Sequence, residues 1–135
     1  MYYVAMSYEL SYRHEADYLH VKATGIRTVE NIIALVRDLF TVADKHGYSK
    51  VLLDIRGMTE GLKTAEAYSL GKKDLAELWS ALGHPKVAVF DLETNRMRDE
   101  FMENVLANAG VNFRFFFDVN EAMEWLEVSS TPVSE

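Results

Sequence analysis

The sequence predicts an α/β fold: a mostly parallel sheet of about five strands in the order β-β-α-β-α-β-α-β-α, with an antiparallel first strand. Three observations predict it: period-two alternation near the N-terminus, helical periodicity in later segments, and short apolar runs between those segments. Alternating strands and helices are typical of parallel sheets with right-handed crossovers. The first strand is expected to be an antiparallel edge strand; its antiparallel pairing agrees with the short turn that joins it to the second strand.

The first element is a β-hairpin. Placing its apolar side chains on one face pairs Tyr12 with Val21 and Leu10 with Ala23. This register leaves a connection of residues 15–18, and it places the histidines at 14 and 20 on opposite faces.

Four segments are predicted to be helical. The first covers residues 29–43, with Thr28 as N-cap and Gly47 as its end. The second covers residues 65–82 and ends at Gly83, and the third covers residues 95–109 and ends at Gly110. The last helix begins at Asp118, which forms a capping box with Glu121. Helical spacing predicts which apolar side chains of these helices point inward. In the second helix they are Tyr68, Leu75, Leu78, Trp79 and Leu82. In the third helix they are Met97, Phe101, Val105 and Ala109.

Three short apolar segments are the remaining predicted strands, at residues 50–55, 87–90 and 111–117. In the last of them Phe113, Phe115 and Phe117 share the core face. Leu52, Phe90 and Phe116 are expected on the opposite face of the sheet. That face is either covered by a helix or is an apolar patch for a partner subunit or an apolar ligand.

Composition and charge exclude several classes of function. The 135 residues carry a net charge of −7, which argues against nucleic-acid binding, because phosphate contacts need a basic surface. Cysteine is absent, and no two of the four histidines lie three or four residues apart, so neither a metal site nor another cofactor is indicated. The longest aliphatic run, residues 32–36, is too short for a membrane span. We expect a cytoplasmic protein that is not an integral membrane protein.

The length suits one domain. We expect this domain to cover residues 6–127, with residues 1–5 as an N-terminal extension and residues 128–135 as a flexible C-terminal tail.

The predicted binding site lies at the carboxyl ends of the parallel strands, where open α/β sheets bind their ligands. Arg56 and Lys63 are expected to hold an anionic group, with Thr59 or Thr64 as a hydroxyl contact or phosphorylation site. Alternatively, Thr64 caps the next helix and Arg56 pairs with Asp54 or Glu60. The residues predicted to bind the ligand are Asp54, Arg56, Gly57, Thr59, Lys63, Thr64, Asp91, Thr94 and Asn95.

Acidic residues at the same edge leave an enzymatic function open. Asp54, Glu60, Asp91 and Glu93 are candidates for general acid–base chemistry, with Asp91 or Glu60 as the base. The sequence contains no G-x-S-x-G motif and no obvious nucleophile with its base.

Several segments resemble the STAS domains, in particular the SpoIIAA-like group, over roughly residues 6–127. The matching segments are Val51-Leu52-Leu53-Asp54-Ile55-Arg56-Gly57, a threonine-containing loop with Tyr68-Ser69-Leu70-Gly71 after it, Lys86-Val87-Ala88-Val89, and residues 107–116 and 118–126. The resemblance implies a regulatory or ligand-sensing α/β module. Its best-known members are anti-sigma factor antagonists, switched by phosphorylation of a serine in an Asp-Ser-Ser-Gly motif. This chain lacks that motif and has a longer loop, in which Thr59 and Thr64 are the nearest hydroxyls.

Three hypotheses of function follow. The leading one is a non-enzymatic regulatory module that binds a small ligand or a protein partner at the carboxyl edge, with a homodimer as a further option. The second is a carrier or sensor of an apolar, lipid-like ligand, lined by Phe90 and Phe116, because the fold is similar to the lipid-binding lobe of CRAL-TRIO proteins. The third is a hydrolytic enzyme with an acidic base.

Overall fold

The computed structural model describes residues 8–82 and 85–128. Three predicted features lie outside the described residues: the extension of residues 1–5, residues 129–135 of the tail, and Gly83 and His84 after the second predicted helix. Val128, the first residue of the predicted tail, packs against the second face of the sheet.

Five strands form one sheet in the order β1-β2-β3-β4-β5, with β1 antiparallel to β2 and every other pair parallel. This confirms the predicted fold class and the antiparallel edge strand. The strands are β1 (Tyr8–His14), β2 (Leu19–Ile26), β3 (Lys50–Thr59), β4 (Lys86–Phe90) and β5 (Phe113–Phe116). The helices are α1 (Val29–His46), α2 (Thr64–Ser69), a π-helical segment (Leu70–Leu75), α3 (Ala76–Leu82), a 3₁₀ turn (Glu93–Asn95), α4 (Arg96–Asn108) and α5 (Val119–Leu126).

The hairpin and the first helix follow their local sequence signals. The register pairs Tyr12 with Val21 and Leu10 with Ala23, as alternation predicts. The Thr28 side chain accepts a hydrogen bond from the backbone N–H of Asn31 and so caps α1. Gly47 ends this helix with a φ of 75°, in the left-handed region that glycine adopts without strain.

Helices cover both faces of the sheet. The first face, which includes Val21, Leu53 and Val89, packs against α1, the π-helical segment, α3 and α4. The second face, which includes Leu52, Ala88 and Phe90, packs against Ala122, Met123 and Leu126 of α5. Of the two alternatives for the second face, the structure therefore shows the covered one.

Strand β3 runs to Thr59, beyond the predicted end at Ile55, and it contains a bulge. Lys22 pairs with Asp54 but Thr24 pairs with Gly57, so β3 has one residue more than β2 between these positions. A Cβ atom at Gly57 would lie 2.8 Å from the Thr24 side chain, so glycine permits the close approach of the two strands. The extra residue lets Met58 join Ile55 in the core of the first face.

The second predicted helix is interrupted by a π-helical segment, which changes the residues that face the core. Leu75 is buried as predicted, but the predicted inward position of Tyr68 is wrong, because its side chain is 48% exposed. Ala67, Leu70 and Gly71 are buried instead. A π-helix winds with more residues per turn than an α-helix, so the 3.6-residue pattern loses register here.

Gly71 brings the π-helical segment close to α4. A Cβ atom at this position would lie 2.8 Å from Val105 Cγ1 and 3.2 Å from Met102 Sδ. Replacing Gly71 with leucine is expected to lower the free energy of unfolding by about 1–3 kcal/mol through overpacking. Urea denaturation of Gly71→Leu beside Lys73→Leu, an exposed position of the same segment, measures this loss. Equal stabilities of the two variants would contradict it.

Candidate functional site

The residues predicted to bind a ligand lie along the carboxyl edge of the sheet, but they divide between its two faces. On the second face, the Asp54 carboxylate accepts hydrogen bonds from Arg56 Nε at 3.0 Å and from Arg56 Nη2 at 2.8 Å. The Arg56 guanidinium lies 4.2 Å from the centroid of the Phe90 ring. Arg56 therefore forms the pair with Asp54 that the sequence left as an alternative to anion binding.

The loop after β3 carries its polar side chains on the surface. Thr59 is exposed, and its Oγ1 donates to the carbonyl oxygen of Gly25 at 3.4 Å. Thr64 is the first residue of α2 and is also exposed. The alternative in which Thr64 caps this helix is wrong, because Lys63 occupies the N-cap position. The backbone N–H of Lys63 donates a hydrogen bond to the Glu66 carboxylate at 3.0 Å.

A buried cluster of charged side chains lies at the edge of the first face. Asp91 follows β4, and its side chain is fully buried. Its Oδ1 accepts hydrogen bonds from Arg27 Nη2 at 2.8 Å, the Leu92 N–H at 2.7 Å and Asn95 Nδ2 at 3.1 Å. Asp99 of α4 completes the cluster, with its Oδ1 at 3.7 Å from Arg27 Nη1.

The two aspartates of this cluster have opposite pKa shifts. Burial, followed by the hydrogen bond and the negative charge of Asp91, raises the pKa of Asp99 to about 9. Burial alone would raise the pKa of Asp91, but hydrogen bonds from Asp99 and Arg27 and the Arg27 charge lower it. At neutral pH Asp99 is therefore a neutral acid, and Arg27 neutralises the Asp91 carboxylate.

Of the residues in this cluster, the sequence predictions include Asp91 and Asn95 but miss Arg27 and Asp99. Arg27 directly follows β2, so it also lies at the carboxyl end of a parallel strand. This position is the sequence signal that would have identified Arg27 as a site residue. Thr94, which was predicted, is exposed in the 3₁₀ turn.

Asp99 was missed because the apolar pattern of α4 indicates a different inward face. Met97 was predicted to point inward, but it is 85% exposed, so this prediction is wrong. Asp99, Val105 and Leu106 are the buried residues of α4. Asp99 faces the sheet, where it lies beside Arg27 and Asp91, and apolar periodicity carries no signal for such polar contacts.

Next to the charged cluster, a cavity of about 350 Å³ lies between the first face of the sheet and the helices α1, α2 and α4. Its walls are almost entirely apolar, and Arg27, Arg98 and Asp99 supply its charged groups. The apolar lining includes Ile32, Leu35, Val36, Leu53, Ile55, Met58, Ala67, Val89, Met102, Leu106, Phe113 and Phe115. The volume lies within the range of about 300–1,000 Å³ that small-molecule sites occupy.

Glu60 and Glu93, the other two candidate acids on this side of the sheet edge, do not line the cavity. Glu93 pairs with Arg96 on the surface at 2.8 Å, and Glu60 is exposed with a φ of 66°. Within residues 8–82 and 85–128 no group of His, Asp and Glu side chains is arranged to hold a metal ion. None of the helices in this part of the chain is both long and apolar enough to cross a membrane.

Comparison with known proteins identifies the fold. No protein-family model and no curated protein sequence matches the chain. Among solved structures, an anti-sigma factor antagonist from Mycobacterium paratuberculosis is similar over 93% of this chain and 98% of its own, with a TM-score of 0.61 at 13% sequence identity. An uncharacterised DUF3478-family protein with a SpoIIAA-like fold, from Shewanella loihica PV-4, covers the same shares with a TM-score of 0.54 at 21% identity. The chain therefore has the SpoIIAA-like α/β fold that its sequence pattern resembles.

Proposed function

We propose that the protein is a binding module for a small, largely apolar molecule, held in the cavity between the first face of the sheet and α1, α2 and α4. The observation that supports this proposal is the cavity itself, whose 350 Å³ are lined mainly by aliphatic, methionine and phenylalanine side chains. The proposal joins the first two sequence hypotheses, because the ligand is apolar and its site reaches the carboxyl edge of the sheet.

The proposed site differs from the one that the sequence indicates for an apolar ligand. Phe90 and Phe116 lie on the second face, where Phe116 packs against Trp125 of α5 at a centroid distance of 5.7 Å. We propose a non-enzymatic role, since the Asp91 carboxylate is fully buried and bonded within the protein. Met97 and Phe101 line the cavity and are exposed, so a bound ligand would alter a surface available to a protein partner.

A cavity-filling variant tests the proposed site. Ala67 lines the cavity on α2 and is 8% exposed, so Ala67→Phe is expected to occupy the space of the ligand. We expect the variant to bind the neutral fluorescent probe phenylnaphthylamine at least about tenfold more weakly than the wild type. Fluorescence titration measures the affinity, and thermal unfolding shows whether the variant is folded.

The matched control is Ala81→Phe, which adds the same ring at an exposed position of α3 outside the cavity. It is expected to bind the probe as the wild type does. Unchanged affinity in a folded Ala67→Phe variant, or no binding of the probe by the wild type, would rule out this cavity as the site.

A further inference from the structure

Asp91 accepts hydrogen bonds from Arg27 and Asn95, Asn95 accepts one from Arg98, and Asp99 lies 3.7 Å from Arg27. The charged lining residues Arg27, Arg98 and Asp99 therefore lie together, and they form one polar end of an otherwise apolar cavity. Such an arrangement suits a ligand that has one polar group on an apolar body. The hydrogen bonds and charges at this end indicate the chemistry of that group.

Arg27 offers a buried donor with no partner. Its side chain is 9% exposed, and its Nη2 donates to Asp91 Oδ1 and to the carbonyl oxygen of Ile55. Its Nε atom is buried and donates to no atom of the described residues. A buried N–H without an acceptor is unfavourable, so this position favours a ligand that brings an acceptor oxygen.

The polar end also carries an excess of positive charge. Arg27 and Arg98 contribute two positive charges and Asp91 one negative charge, while Asp99 is neutral at neutral pH. Arg98 donates to the neutral side chain of Asn95 at 2.6 Å, and its guanidinium lies against Gly61, where a Cβ atom would collide with it. No carboxylate of the described residues forms an ion pair with Arg98, so one positive charge is left for a ligand.

We propose that the cavity binds an apolar monocarboxylic acid, with its carboxylate held by Arg27 and Arg98 at the carboxyl edge of the sheet. This inference rests on the proposed function and adds the class of the ligand. A carboxylate carries the single negative charge that this end can neutralise, and guanidinium groups bind carboxylates well. A phosphate monoester, with about −1.5 to −2 charges, exceeds that capacity.

Isothermal titration with decanoate, decanol and decyl phosphate tests the inference. The wild type is expected to bind decanoate at least about tenfold more tightly than either other probe, since a hydrogen bond to a charged group provides that difference. Arg98→Gln removes the exposed cation and is expected to abolish the preference for decanoate over decanol. Arg96→Gln is the matched control, because Arg96 lies on the same helix, pairs with Glu93 and does not line the cavity.

The possible results separate this inference from the function on which it rests. Equal affinities of the wild type for decanoate and decanol, or tighter binding of decyl phosphate, would overturn the carboxylate assignment and leave an apolar binding site. A preference that persists in Arg98→Gln would remove Arg98 from the site. If neither decanoate nor decanol binds, the proposed function fails together with the inference.

Discussion

Adding Asp91→Asn to the variant Asp99→Asn is expected to lower its free energy of unfolding by about 3–5 kcal/mol. The Arg27 side chain is only 9% exposed, and in this double variant it has no carboxylate beside it. Removing the acidic partners of a buried cation leaves its charge uncompensated, which costs more than the pair itself contributes. Urea denaturation at neutral pH measures this loss.

The single variant Asp91→Asn is expected to lose less, because Asp99 can replace the missing charge. Asp99 Oδ1 lies 3.7 Å from Arg27 Nη1, and the negative charge of Asp91 helps to keep Asp99 protonated. Without that charge Asp99 ionises more readily and becomes the counter-ion of Arg27. The double-mutant cycle is therefore expected to be strongly non-additive.

The control for this cycle is Glu93→Gln, which breaks an exposed pair with Arg96 and should change stability little. Additive effects of the two aspartate substitutions would show that the buried charges do not act as a unit.

The second large effect is expected from Asp99→Asn, which should stabilise the protein at neutral and alkaline pH. The folded state holds a proton on Asp99 up to a pKa of about 9, whereas the ordinary value is 3.8. Between these values the folded state binds more protons than the unfolded state, so this group's contribution to stability falls as pH rises. Asparagine supplies a neutral donor to Asp91 without taking up a proton, so it removes this dependence.

Stability curves at several pH values test this expectation. The advantage of Asp99→Asn over the wild type should grow by up to about 1.4 kcal/mol per pH unit between about pH 5 and pH 8. The groups that act on Asp99 are Asp91, Arg27 and Arg98, and all three remain in the variant. Asp17→Asn, at an exposed position in the hairpin turn, serves as the control. An advantage of Asp99→Asn that is independent of pH would contradict the raised pKa.

Local signals explain why so much of the fold could be predicted. The hairpin register follows from the alternation of apolar residues. The first helix begins after Thr28 and ends at Gly47, because both residues form hydrogen bonds with the adjacent backbone. The bulge at Gly57 depends on the approach of Thr24 from another strand. No signal within the β3 segment itself indicates such an approach, so the extension of β3 was missed.

The candidate site was harder to predict, because its residues interact over long distances in sequence. Arg27 and Asp91 are 64 positions apart, and only the strand order brings them together. The position after a parallel strand identified Asp91 and would have identified Arg27. Asp99 lies within a helix, where a charged residue in the sequence is normally taken as solvent-facing, so the sequence offers no comparable signal.

The five strands lie in the sheet in the same order in which the ribosome synthesises them. Each strand pairs with the one made just before it, so the sheet can grow from β1 toward β5 without waiting for a distant segment. The second face is different, because Leu52 and Phe90 are covered by α5, the final helix. On the ribosome, this apolar face is therefore the last part of the sheet to be protected, and a nascent chain that pauses before residue 119 exposes it to aggregation.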